Sequence, residues 1–482
     1  MSIPQDLWGT DELAMHILGF LPPPNLRNCA QVSRSFNRIA VQSVLDQHEI
    51  WNPQQSATLH LADNPNDLDS LSALLMSVHI KSLRYVIFNL KGVTSLHSAL
   101  RSFHKMQRLV DRMTSLHTVY VHWPSEAYAE QPISDKMLAN TCRCVEAFLD
   151  TTIAKGCTQL QLGGCNAFTS KYKLKKTPAI TAAETARASA AERSSIWGSA
   201  RGYLASRHTR AASDASPPYS EESNYCRKSS RFSISAPWIS LTPSPKLSQV
   251  TKLAAFCAYS TSLFRPPFSE WTFTLLKASP ITFLTLCFKD LPNDPLESKL
   301  ILDRLAEAVP DVTTIHLDGV KLCLLKDVVS WLGQFKELRD LRMEPERSFA
   351  GTDLDAQSLQ ALARLPHLRT LASSSPILCS YLASCRGIGA GINASNLVMR
   401  YMWTSSTRSA VTAFIKDVER FHNAILETIS GTEVQTSNIR VKLRFDRFSH
   451  RAKELEGILG HQNQLDGGEV LGMDSASSYI YL

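Results

Sequence analysis

The chain has no long apolar run, no cysteine pair at metal-ligand spacing and no glycine-rich phosphate loop, and each absence removes a class of protein. No stretch approaches the roughly 18 apolar residues that a membrane helix needs, so no membrane span is expected. The opening residues MSIPQDLWGTDEL lack a basic start followed by an apolar block, so no secretory signal is expected there. The eleven cysteines are odd in number and scattered, and Cys142 and Cys144 are the only close pair. Without a C-x-x-C, neither a zinc site nor a disulfide frame is supported. Cys29, Cys287 and Cys323 fall at apolar-periodic positions, where a free thiol acts as a small core residue. A reducing compartment, cytoplasmic or nuclear, is the expectation.

Chemistry is equally sparse. G-x-S-x-G, H-E-x-x-H and Walker sequences are absent, and GIGAG at 387–391 lacks the spacing of a dinucleotide loop. His117 and His122 flank a predicted strand without a Cys or acidic companion at ligand spacing. No catalytic, cofactor-binding or metal-binding residue is therefore expected, and the chain does not read as an enzyme.

The net charge is +7, and its location matters more than its size. Residues 171–231 hold 12 Lys/Arg and 5 Asp/Glu, which leaves 39 of each sign elsewhere. A nucleic-acid-binding fold displays its basic stripe on a structured face. Here the excess sits in one segment of different composition. Residues 166–250 are rich in Ser, Ala, Thr, Arg and Pro, and their few apolar residues have no period. Such a segment cannot bury enough surface to offset the entropy of ordering, so a disordered insert is expected and a nucleic-acid partner is not. Ser213 and Ser233 lie downstream of arginines, and Ser216, Thr242 and Ser244 each precede a proline. Ser213, Ser233, Thr242 and Ser244 are candidate phosphorylation sites, where each phosphate would add nearly two negative charges.

What the chain has instead is a recurring phrase, L-x-x-L-x-L. SLRYVIF at 82–88 and SLHTVYV at 115–121 are 33 residues apart. Further copies begin at Cys157, Ile281, Val312, Leu338 and Leu368, the last four spaced by 31, 26 and 30 residues. The L-x-L alternation sends two side chains inward from a short strand, and only a neighbouring copy can cover the layer they start. A strand, a helix and a return at this period are the signature of a leucine-rich-repeat solenoid. Residues 408–430 predict an amphipathic helix and 438–445 a strand, which together suit a closing cap.

The N-terminus is different again. In DELAMHILGFLPPPNLRNCAQVSRSFNRIA, Leu13, Ile17 and Leu21 recur at helical spacing until Pro22, Pro23 and Pro24 interrupt them. Asn25 is placed to cap a second helix and Ser33 or Ser35 a third. Three short helices cannot enclose all of Leu13, Ile17, Leu18, Phe20, Leu21, Leu26, Val32 and Phe36, so some of that surface is expected to meet a partner.

This stretch resembles an F-box, the motif that docks substrate receptors on the Skp adaptor of cullin-based SCF ubiquitin ligases. The resemblance covers residues 3–51 and rests on Glu12-Leu13, Ile17, Phe20-Leu21-Pro22, Leu26, Cys29, Val32, Ser33-Arg34 and Phe36, with Trp51 at its end. Gly9-Thr10 stand where the family has Leu-Pro. The resemblance implies adaptor contacts through Leu13, Ile17, Leu21, Pro22, Leu26, Val32 and Phe36. It also implies a protein substrate on the solenoid, cullin recruited through the adaptor, and no cofactor. A repeat scaffold that binds a protein without a ligase is the alternative.

The expected architecture is α/β: a three-helix module at 3–51 and a first repeat segment at 67–165. The insert at 166–250, a second repeat segment with its cap at 251–445, and a loose tail at 460–482 follow.

Overall fold

The computed structural model describes residues 11–62, 69–123, 135–164, 251–265, 267–289, 295–346, 359–388, 392–402, 408–430, 440–446 and 479–481. The chain divides into two units, Met1–Ser170 with Ile239–Leu482, and Lys171–Trp238. The second unit, with the candidate phosphorylation sites Ser213 and Ser233, lies outside the described residues, as do Thr242 and Ser244.

Three helices open the chain: α1 (Asp11–Gly19), α2 (Pro23–Cys29) and α3 (Arg34–Gln47). The prolines do more than stop α1. Pro22 sits at the N-cap of α2 with extended backbone, and prolines follow in the first turn, where a fixed φ suits a helix start and a missing N–H costs nothing. Asn25 therefore lies inside α2 rather than capping it, a correction to the sequence expectation. Ser33 caps α3 as expected, its hydroxyl accepting from the Phe36 amide at 3.2 Å.

A single sheet follows. Its strands are β1 (Ser56–Ala62), β2 (Ser82–Gly92), β3 (Ser115–His122), β4 (Gln159–Gly163), β5 (Ala255–Ala258) and β6 (Phe283–Cys287). They continue as β7 (Thr314–Val320), β8 (Asp340–Pro345), β9 (Thr370–Ser373), β10 (Asn396–Met402), β11 (Arg440–Asp446) and β12 (Tyr479–Tyr481). Strand order in the sheet is strand order in the chain. Every pairing from β1 to β11 is parallel, and β12 joins β11 antiparallel. The crossovers carry α4 (Ser70–Met76), α5 (Leu96–Arg112), α6 (Asp135–Ala154), α7 (Ser269–Lys277), α8 (Pro295–Ala308), α9 (Leu325–Leu332), α10 (Gln360–Ala363), α11 (Ser375–Gly387) and α12 (Arg408–Ser430). Parallel connections take one hand, so a sheet that always grows in one direction collects its helices on one face. The result is a solenoid-like sheet of parallel strands and helices behind a three-helix module.

The repeated phrase explains the register. All seven copies read from the sequence fall on strands and turn their three repeated positions to the interior, apolar in every case but Ser373 at the end of the last copy, whose hydroxyl donates to the Met343 carbonyl at 2.6 Å. Leu116, Val119 and Val121 of one copy are buried, as are Ile281, Leu284 and Leu286 of another. The middle position forms an unbroken row through the parallel pairs Val86, Val119, Leu160, Phe256, Leu284, Ile315, Leu341, Leu371 and Leu397. Each such side chain, fully buried, stabilises by roughly 1.5–3 kcal/mol, and none can be covered without the neighbouring copy. β7 breaks regularity at Gly319, whose φ of 71° belongs to the left-handed region. The register shifts there between Asp318 and Val320, and a Cβ would collide with Lys289 Cγ.

β4 and β5 are separated by about ninety residues of chain yet pair directly, Gln159 with Ala255 through Leu162 with Ala258. The helices behind them are also joined, since Trp271 Nε1 donates to Asp150 Oδ1 at 2.9 Å. The basic segment is thus spliced between two adjacent repeats without interrupting the sheet. The nine cysteines among the described residues carry free thiols.

Candidate functional site

The three-helix module has an inner and an outer apolar surface. Ala14, Leu18, Leu26 and Ala30 are buried, and α3 buries Ile39, Ala40, Val41, Val44 and Leu45. On the outside stand Leu13 (38% exposed), Ile17 (41%), Phe20 (77%) and Val32 (72%). Nine residues of α1 thus carry two apolar stripes: Ala14 and Leu18 point in, and Leu13 and Ile17 point out. Exposing four large apolar groups on so small a module costs solubility, and such a patch marks a protein-docking surface.

The sequence-named residues divide accordingly. Leu13, Ile17 and Val32 are exposed, Pro22 is exposed beside them, and Leu21 and Phe36 are half-buried. Leu26 is 1% exposed and serves the module's own core, because α2 packs on α3 through it. Met15 and Trp51 are also exposed. Met15 lies off the i, i+4 stripe that periodicity follows, so pattern alone did not select it. Gly9 and Thr10 lie outside the described residues.

The module is fastened to the sheet by polar contacts. Asn37, buried on α3, donates through Nδ2 to the Ala30 carbonyl at 2.9 Å and to the Met76 carbonyl at 3.0 Å. Its Oδ1 accepts from the Val78 amide at 3.1 Å. His79 Nε2 lies 2.9 Å from the Arg34 carbonyl oxygen. Beside this joint a groove of about 540 Å³ is lined by Ala30, Gln31, Ser33, Arg34, Asn37, Met76 and Val78.

Among the described residues no cluster of His, Cys, Asp or Glu is placed to hold a metal ion. Cys144 Sγ lies 3.6 Å from His104 Nε2, but burial pushes the thiol pKa up, opposite to the shift a nucleophilic cysteine requires. A helical module with an apolar outer face, joined rigidly to a repeat-built sheet, defines a protein-docking molecule.

Residues 11–48 match the F-box-like family. The chain therefore carries an F-box-like domain, and its α1–α3 are that domain. F-box domains in general bind Skp-type adaptors and mark adaptor-binding, typically non-catalytic, substrate receptors of SCF-type ligases. No curated protein matches this chain.

Proposed function

We propose that this chain is the substrate-recognition subunit of an SCF-type cullin ubiquitin ligase. The F-box-like domain holds a Skp-type adaptor through Leu13, Ile17, Leu21, Pro22, Val32 and Phe36, and the adaptor brings cullin. The strand-and-helix repeats are leucine-rich repeats, and their sheet presents one face to a protein substrate. Ubiquitin transfer falls to other subunits. The observation that carries this reading is the outward stripe of Leu13 and Ile17 together with Val32, apolar surface that the module itself leaves open.

The work is placed in the cytoplasm or nucleus, where the scattered free thiols persist. Ser213, Ser233, Thr242 and Ser244 are proposed phosphorylation sites that offset the local positive charge. Affinity purification of the full chain under proteasome inhibition tests the reading. Recovery of adaptor, cullin and an accumulating ubiquitinated protein is expected. Recovery of a protein partner with neither adaptor nor cullin identifies a repeat scaffold without a ligase.

A further inference from the structure

The face of the sheet opposite the crossover helices is divided by charge. Three rows of side chains begin at Ser56, Thr58 and His60 on β1 and run across to Ala255, Cys257 and Gly163. They contain no Asp, Glu, Lys or Arg. From β6 onward charges appear in opposed sets: Lys289 pairs with Asp318 at 2.9 Å, and Arg342 and Arg400 meet on Glu344.

Within the neutral rows lies an aromatic platform. Tyr120 on β3 and Tyr259, just past β5, hold their rings 5.9 Å apart and tilted by 57°. One strand, β4, separates them, and they meet because it places Gly163 between. A Cβ there would stand 3.3 Å from the Tyr120 hydroxyl and 3.6 Å from Tyr259 Cβ. Tyr85 extends the platform diagonally by one strand, and Tyr120 Oη bonds His122 Nδ1 at 2.9 Å. Burial raises the pKa of Tyr120 and pushes that of Tyr259 up to about 12, so both phenols stay neutral across the physiological range. Gln159 and Gln161, half-buried on β4, add amide donors beside the rings.

We infer that this platform binds an uncharged, proline-containing extended segment of the partner protein, an inference that rests on the receptor role proposed above. Tilted aromatic faces pack pyrrolidine rings, and a polyproline II chain presents solvated carbonyls without competing amide hydrogens. The phenol and amide donors meet those carbonyls. A basic segment finds no carboxylate in these rows, and the cation felt at the platform, Arg342 acting on Tyr259 from β8, is already held by Glu344, so a charged segment of either sign would lose its hydration without a free counter-charge.

The test is anisotropy of a fluorescein-labelled Ala-Pro-Pro repeat peptide with the full chain, purified with its adaptor. Lysine-rich and phosphoserine-rich peptides of equal length serve as competitors. Saturable binding is expected, insensitive to salt and resistant to both competitors. Tyr120→Ser with Tyr259→Ser weakens it at least about tenfold, or ~1.4 kcal/mol. Gly163→Val, which retains both tyrosines but drives a side chain into their contact, weakens it likewise. Absence of saturable binding overturns the inference, as does binding equal in wild type and both variants, or preference for a charged peptide. Adaptor retention is read in the same samples: its loss counts against the docking reading alone, because the platform residues lie on β3, β4 and β5.

Discussion

The side-chain amide of Asn37 donates to the main-chain carbonyl of Met76 at 3.0 Å, tying the third helix of the F-box-like domain to the end of the first repeat helix. With Val78 donating back to Oδ1 and Ala30 accepting from the same amide nitrogen, one side chain satisfies three buried or half-buried backbone groups. The joint is therefore fixed in geometry. A receptor that must hold a substrate at a set distance from an adaptor needs that property.

Replacing Asn37 by Leu keeps the volume but strands those three backbone groups. The expected cost is about 1–3 kcal/mol for each group left unsatisfied and buried. Urea denaturation should show a lower midpoint for Asn37→Leu, whereas Asn28→Leu, at an exposed position on α2, should leave it nearly unchanged.

The inner and outer residues of one strand should respond differently. Leu160 is fully buried in the continuous apolar row, so Leu160→Ala should cost about 2–5 kcal/mol. Gln161, its neighbour on the open face, should change stability by no more than about 0.5 kcal/mol when truncated to Ala. Equal effects would mean that the strand does not alternate as described.

β4 and β5 pair directly and Trp271 reaches Asp150, so the sheet and its helices are continuous from one side of the splice to the other. Deleting 171–238 with a short Gly-Ser bridge should leave the thermal midpoint within a few degrees of the full chain. A loss of cooperative unfolding would show that the segment contributes to the core.

Glu146 on α6 carries a pKa raised to about 7, first by burial and then by the nearby Asp150 carboxylate. The native state therefore holds this proton more tightly than the unfolded chain does. Its contribution is present below the ordinary carboxylate range and is lost as pH rises toward 7. Glu146→Gln should raise the melting temperature at pH 8 and change it little at pH 4.5.

Much of this architecture is legible in the sequence because a parallel repeat writes its register directly. Wherever Leu, Ile or Val fills the three positions, as at 116, 119 and 121, the strand is plain. β1, which lies between the expected segments 3–51 and 67–165, β5 and β10 carry no clear copy of the phrase, since Ala57, Phe256 with Ala258, and Ala394 with Met399 fill the same buried positions with other shapes. No L-x-x-L-x-L phrase follows Leu371, yet β10 pairs with β9 in the same register and Leu397 continues the row. At the docking face, periodicity identified Leu13 and Ile17 as one stripe. It could not say that this stripe faces outward, because Ala14 and Leu18 offer an equally spaced inner one. Leu26 shows the converse: the family resemblance implies a contact residue there, and in the fold its side chain is enclosed within the module. The aromatic platform depends on residues 120, 163 and 259, which no local pattern connects.

Direct binding of a purified Skp-type adaptor to the full chain, measured by calorimetry, tests the central claim. The account predicts a one-to-one complex for the wild type, lost on Ile17→Asp with Val32→Asp, and retained on Leu160→Ala at temperatures where that variant is folded. Failure of the wild-type chain to bind, or undiminished binding by the Ile17→Asp, Val32→Asp double variant, would contradict it.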